Sequence, residues 1–161
     1  MVKIIKHGDS KRVKCPRCGS ILRFSGGVTV REILFRAKRK DNGKWVKGYY
    51  MPCPNSPGKP RYYIAPLSQT KWYEIDQNTL CQYTGLSDKN GQKIWENDII
   101  KTNQYGVDNG DGRNFSGFDT FFINFSEGSF CLMNKWRRFN LRPSKYLKVV
   151  GNIFDNQELL N

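Results

Sequence analysis

Apolar and polar residues alternate along this chain in short runs, and nowhere does a period near 3.6 persist long enough to predict a substantial helix. The plainest case is residues 121–125. Phe121, Ile123 and Phe125 fall on one side of an extended chain, and beyond a break at 126–129 the apolar residues 130–133 can pair back on it. Residues 32–37 and 44–50 flank Asp41-Asn42-Gly43, whose Asn-Gly pair tolerates the positive φ angles of a tight hairpin. Short aromatic strands are expected at 61–64, 72–75 and 80–84, a second Asn-Gly turn at 89–92, a strand at 99–102 and a closing strand at 146–154. Only residues 156–160 are left for a helical turn. Pro52, Pro54, Pro57 and Pro60 predict an exposed loop over 52–60, because each proline removes a ladder donor. The polar, glycine-rich stretch 103–117 reads as a hairpin tip or surface insertion.

The fold class that follows is all-β with minor α, in small barrel-like antiparallel sheets. Gly26-Gly27 disfavours both helix and strand interiors and marks a boundary, giving an extension over 1–27 and a body over 28–161. Within the extension, two short strands flank Cys15-Pro16-Arg17-Cys18-Gly19, a zinc-knuckle-like turn.

Three segments of the body carry a resemblance: ILFRAKRKDNGKWVKGYY at 33–50, QYTGLSDKNGQKIWENDII at 82–100 and VVGNIFDNQELL at 149–160. They resemble the YopX family of phage and prophage proteins. The resemblance implies a β-rich, barrel-containing fold in a phage context, and it brings no established active site. Asn97 stands where members commonly carry glycine, and asparagine also tolerates a left-handed turn. The Cys-x-x-Cys extension lies outside the resemblance and looks like half of a zinc ribbon.

Composition changes this picture in two ways. The 10 Phe, 8 Tyr and 4 Trp supply core area that a 38% hydrophobic content would otherwise lack. The net charge of +13 is uneven: residues 1–50 hold 14 Lys and Arg against 3 Asp and Glu, which is +11, and the rest of the chain is nearly neutral. A polyanion is the natural partner of such a segment, either nucleic acid or an acidic protein that mimics it, and the expected partner is nucleic acid or a nucleic-acid-handling protein complex of the host. No apolar run approaches the roughly 18 residues of a membrane span and no signal peptide is recognisable, so a cytoplasmic protein without membrane contact is expected.

Candidate sites follow from charge and cysteine spacing. Lys11, Arg12, Lys14 and Arg17 of the extension, with Lys38, Arg39, Lys40 and Lys44 of the first hairpin, form the candidate nucleic-acid surface. Cys15 and Cys18 could share a zinc ion, with Cys53 the best-placed third ligand if 52–60 is a loop; Cys81 and Cys131 fall on strands and read as small core residues. The basic aromatic run 135–142 could stack bases, but alternating charges and aromatics more simply describe a half-buried strand. Asp108, Asp111 and Asp119 do not make a calcium loop, because glycines stand where ligands are required. No catalytic constellation emerges: His7 is the only histidine, and although Glu96 and Asp98 could act as a pair, backbone capping by Asp98 is at least as good a reading. A non-enzymatic binding protein is expected. A module that inhibits a host defence or regulatory protein is the alternative, and a carboxylate-dependent hydrolase or nuclease stands behind both.

Overall fold

The computed structural model describes the backbone of residues 4–7, 10–14 and 21–24, and residues 32–53, 58–67, 71–102, 119–143 and 145–160 in full. The chain divides into two compact units, Met1–Glu32 and Ile33–Asn161. The Cys15–Cys18 turn, the Gly26-Gly27 break and the expected insertion at 103–117 lie outside the described residues.

The first unit contains strands β1 (Ile4–His7), β2 (Ser10–Lys14) and β3 (Ile21–Phe24), antiparallel in the order β1-β2-β3. The second begins with β4 (Phe35–Lys38), β5 (Trp45–Cys53), β6 (Arg61–Ala65), β7 (Tyr73–Glu74), β8 (Cys81–Ser87) and β9 (Lys93–Trp95). These make an antiparallel sheet in the order β7-β6-β5-β4-β8-β9. It continues with β10 (Asp98–Thr102), β11 (Asp119–Ser126), β12 (Ser129–Met133), β13 (Arg138–Asn140) and β14 (Lys148–Asn152), in the order β13-β12-β11-β10-β14. Helix is confined among the described residues to two 3-10 turns, Gln77–Thr79 and Gln157–Leu160. No helix there is long and apolar enough to cross a membrane.

Local chemistry sets the turns. Gly43 takes φ 69° between β4 and β5, where the Asn42 side chain accepts the Lys44 N–H at 3.0 Å. Between β11 and β12, Ser126 pairs with Ser129 and the two loop residues Glu127 and Gly128 both have positive φ, the form that matches strand twist. Asn97 takes φ 65°, as its tolerance of that region predicts; its N–H donates to Ile123 at 2.8 Å and its carbonyl accepts from Ile153 at 3.0 Å.

The proline expectation needs correction. Pro52 and Cys53 are not in a loop but finish β5, opposite Tyr62 and Arg61. β4 pairs with β5 only as far as Gly48, so among the described residues β5 is paired at Pro52 on the β6 side alone, the edge setting in which a strand tolerates proline. Gly48 is required where it stands, because a Cβ would lie 2.1 Å from the Ala65 carbonyl oxygen.

Among the described residues the alternating apolar positions meet in three buried clusters. The largest joins Ile94 of β9 to Ile100, Phe121, Ile123, Phe130, Leu132 and Leu147, so it bridges the two sheets of the second unit. Each such side chain contributes about 1.5–3 kcal/mol when fully buried. The others centre on Leu34, Cys81, Tyr83 and Trp95, and on Ala37, Val46, Ile64 and Ile75.

Candidate functional site

In the first unit, Lys11, Arg12 and Lys14 lie on β2, the middle strand of its sheet. The register sets Lys11 opposite Lys6 and Arg12 opposite Arg23, two rows in which like charges occupy directly opposed positions. Like charges directly opposite one another are destabilising. Arg17, Cys15 and Cys18 lie outside the described residues. Cys53 is half-buried at the end of β5, and among the described residues no group of three or more His, Cys, Asp or Glu could hold a metal ion.

On the β4–β5 hairpin the expected cations are present, but three of the four meet carboxylates. Lys38 Nζ lies 2.6 Å from Asp155, Arg39 makes a two-pronged contact with Asp41, and Lys40 Nζ donates to Glu74 at 2.8 Å. Lys44 is exposed and has no carboxylate partner among the described residues. The pairing shows in the acids. Hydrogen bonds from Arg39 and Lys40 hold Asp41 and Glu74 below the usual carboxylate range, and the bond from Lys38, with help from Asn152 and Trp45, brings Asp155 down to about 2. Exposed pairs of this kind are worth at most about 1 kcal/mol, so phosphate can compete for these cations.

Beneath the hairpin lies a charged group that sequence reasoning did not single out. Arg36 of β4 donates from Nη2 to Asp98 of β10, and both residues are buried. The other Asp98 oxygen accepts the Trp95 N–H at 2.8 Å, which is the backbone cap expected of it. The Arg36 guanidinium lies between two indoles, 4.7 Å from the Trp45 ring centre and 5.6 Å from that of Trp95, while its Nε is buried without a hydrogen-bond partner. Burial pushes the Asp98 carboxyl upward against the pull of Arg36. Cys81 and Cys131 are fully buried, as their strand positions implied, and burial raises the Cys81 thiol. The only sequence signal for Arg36 is a lone charge inside the run Ile33-Leu34-Phe35-Arg36-Ala37.

The motif-bearing segments are largely ties of this sort. Asp88 accepts N–H groups from Asn90 and Gln92 within its turn and from distant Val149 at 3.1 Å. Asn152 accepts from Phe154 and Asp155, and Asp155 in turn accepts the Trp45 indole N–H at 2.7 Å.

The run 135–142 departs from a simple half-buried strand. Phe139 packs against the largest core cluster, edge-on to Phe121 at 5.9 Å, but Trp136 is 80% exposed. It sits in the turn before β13, where alternation no longer applies. Asn134 fixes that turn by accepting the N–H groups of Trp136 and Arg137, at 3.0 and 2.8 Å.

The family model described as YopX protein matches residues 34–161. No curated protein matches the chain. Among solved structures, protein EF1440 from Enterococcus faecalis is similar, with a TM-score of 0.51 and 21% identity over 82% of this chain and 100% of that one. That likeness concerns the fold.

Proposed function

The chain belongs to the YopX protein family, and from that membership we propose that it is a phage or prophage accessory protein that binds nucleic acid through its basic N-terminal surface, in the cytoplasm of the host cell and without catalysing a reaction. The observation that carries the reading is Arg12 directly opposite Arg23, with Lys14 two residues further along the same face of β2 and Lys6 opposite Lys11 on the other face, within a segment of net charge +11. A phosphate backbone relieves that repulsion, and release of its condensed counterions drives association. Lys38, Arg39, Lys40 and Lys44 of the second unit supply phosphate contacts of their own after exchanging Asp155, Asp41 and Glu74 for phosphate. Zinc on Cys15 and Cys18 belongs to the same proposal, because thiolates at that spacing suit its tetrahedral preference. Cys53, half-buried at the last position of β5, is the third candidate ligand of the same proposal.

The test is a salt titration of duplex DNA binding. Engaging about four to six cations gives a log-log slope of roughly −4 to −5, at about 0.9 per phosphate contact. Charge reversal at Lys11, Arg12, Lys14 and Arg17 is expected to weaken binding and flatten the slope. Absence of binding at low salt would instead favour a protein-interaction module directed at a host defence or regulatory factor. That second reading draws support from the exposed Ile33, Tyr49, Leu67 and Trp72, large apolar side chains between 40% and 58% exposed.

A further inference from the structure

Trp136 is the most exposed of the large apolar side chains among the described residues, and it is held in a defined turn. A bulky indole fixed in water with no core to enter suits a ligand with a flat face. Lys135 already places its Nζ 5.0 Å from the centre of that ring, so the platform is electropositive at its margin.

The register shows what shares this end of the five-stranded sheet. Met133, just before the turn, pairs with Phe122 of β11. Two residues further toward the same end, Thr120 pairs with Lys101 of β10, and Lys101 pairs with Lys148 of β14. The turn, Lys101 and Lys148 therefore line one end of the sheet, three inter-strand spacings or about 14 Å across. Lys135, Arg137, Lys101 and Lys148 are all exposed there. The described carboxylate at this end is Asp119, 3.1 Å from Arg137 in an exposed pair that phosphate can displace.

We propose that this end of the sheet is a second binding site, for single-stranded nucleic acid, in which Trp136 stacks on an unpaired base while Lys135, Arg137, Lys101 and Lys148 contact the phosphates that follow. An aromatic platform beside a track of cations is the general means of holding single strands without reading sequence. A duplex keeps its base faces stacked on one another, so Trp136 contributes to single-strand binding and little to duplex binding. The site is built from residues of the second unit alone.

The experiment measures affinity at low salt for a short oligothymidine and for a duplex of equal length. It uses the full chain as wild type, as Trp136→Ala and as Trp136→Phe, each repeated on a background with Lys11, Arg12, Lys14 and Arg17 reversed in charge. Stacking of one base predicts that Trp136→Ala weakens oligothymidine binding by about five- to a hundredfold on both backgrounds, that Trp136→Phe recovers most of the loss, and that duplex affinity stays within about twofold. Equal oligothymidine affinity for Trp136→Ala and wild type overturns the proposal, as does an equal loss on duplex or an absence of oligothymidine binding by the wild type. Because the charge-reversed background removes the N-terminal contribution, an unchanged duplex affinity on that background with the Trp136 dependence intact counts against the N-terminal surface alone.

Discussion

The β4–β5 hairpin and the β12–β13 hairpin are made of similar residues, cations interleaved with a tryptophan, yet they end in opposite states. In the first, Trp45 is half-buried over Arg36, and Asp98, Asp155, Glu74 and Asp41 take up the charges of Arg36, Lys38, Lys40 and Arg39. In the second, Trp136 stands in water, and the hydrogen bonds that fix it serve its turn and not a core. The difference lies in what faces each hairpin. β10 and the 152–156 turn bring their carboxylates and Phe154 against the first, with Phe154 5.9 Å from Trp45, whereas β13 closes the second at the end of its sheet's strand order. Cations meet carboxylates in both hairpins, Arg137 and Arg138 pairing with Asp119 and Glu127 in the second, so the difference lies in the tryptophan, covered in one place and exposed in the other, and the partner elements decide which.

The largest effect expected from this contrast is at Asp98. Replacing it with alanine leaves the Arg36 charge buried and uncompensated, which costs about 3–5 kcal/mol in denaturant unfolding. Replacing both partners, as Arg36→Met with Asp98→Leu, restores much of that loss because no charge is then stranded. A single substitution costing under about 1 kcal/mol would break the comparison, since the first hairpin would then not depend on its buried ion pair.

A smaller effect is expected from acid. Asp155 is held below its unfolded value of 3.8, at about 2. A depressed carboxyl contributes stability that is fully present above the unfolded pKa and is lost as pH falls from about 4 through about 2. The Asp155 side chain is 38% exposed, so the contribution is screened to about 1 kcal/mol or less. Unfolding midpoints of wild type and Asp155→Asn are expected to converge over that pH interval. A difference that persists unchanged at pH 2 would assign the effect of Asp155 to something other than its charge.

The smallest expected effect sharpens the other half of the comparison. Trp136→Ala is predicted to change unfolding free energy by no more than about 0.5 kcal/mol, because the side chain packs against no core. A loss of several times that amount would show that Trp136 supports the fold and is not a surface platform.

Much of the fold was legible in the order of residues. Hairpins at Asn42-Gly43 and at 126–129, the left-handed Asn97, the buried Cys81 and Cys131 and the capping role of Asp98 each follow from local chemistry, since turn dihedrals and strand alternation involve only near neighbours in the chain. Uneven charge was equally plain. Sequence alone thus determined an all-β chain of short antiparallel strands, with its positive charge gathered toward the N-terminus. It could not determine that Pro52 stays within a strand, because that depends on β5 pairing with β6 beyond the point where β4 begins at Phe35. Nor could it pair Arg36 with Asp98, 62 residues apart, or Lys38 with Asp155, because such contacts exist only once β4, β10 and the C-terminal turn meet. Whether a cation is neutralised and whether a tryptophan is covered are properties of what lies across from it, and only the tertiary structure decided those.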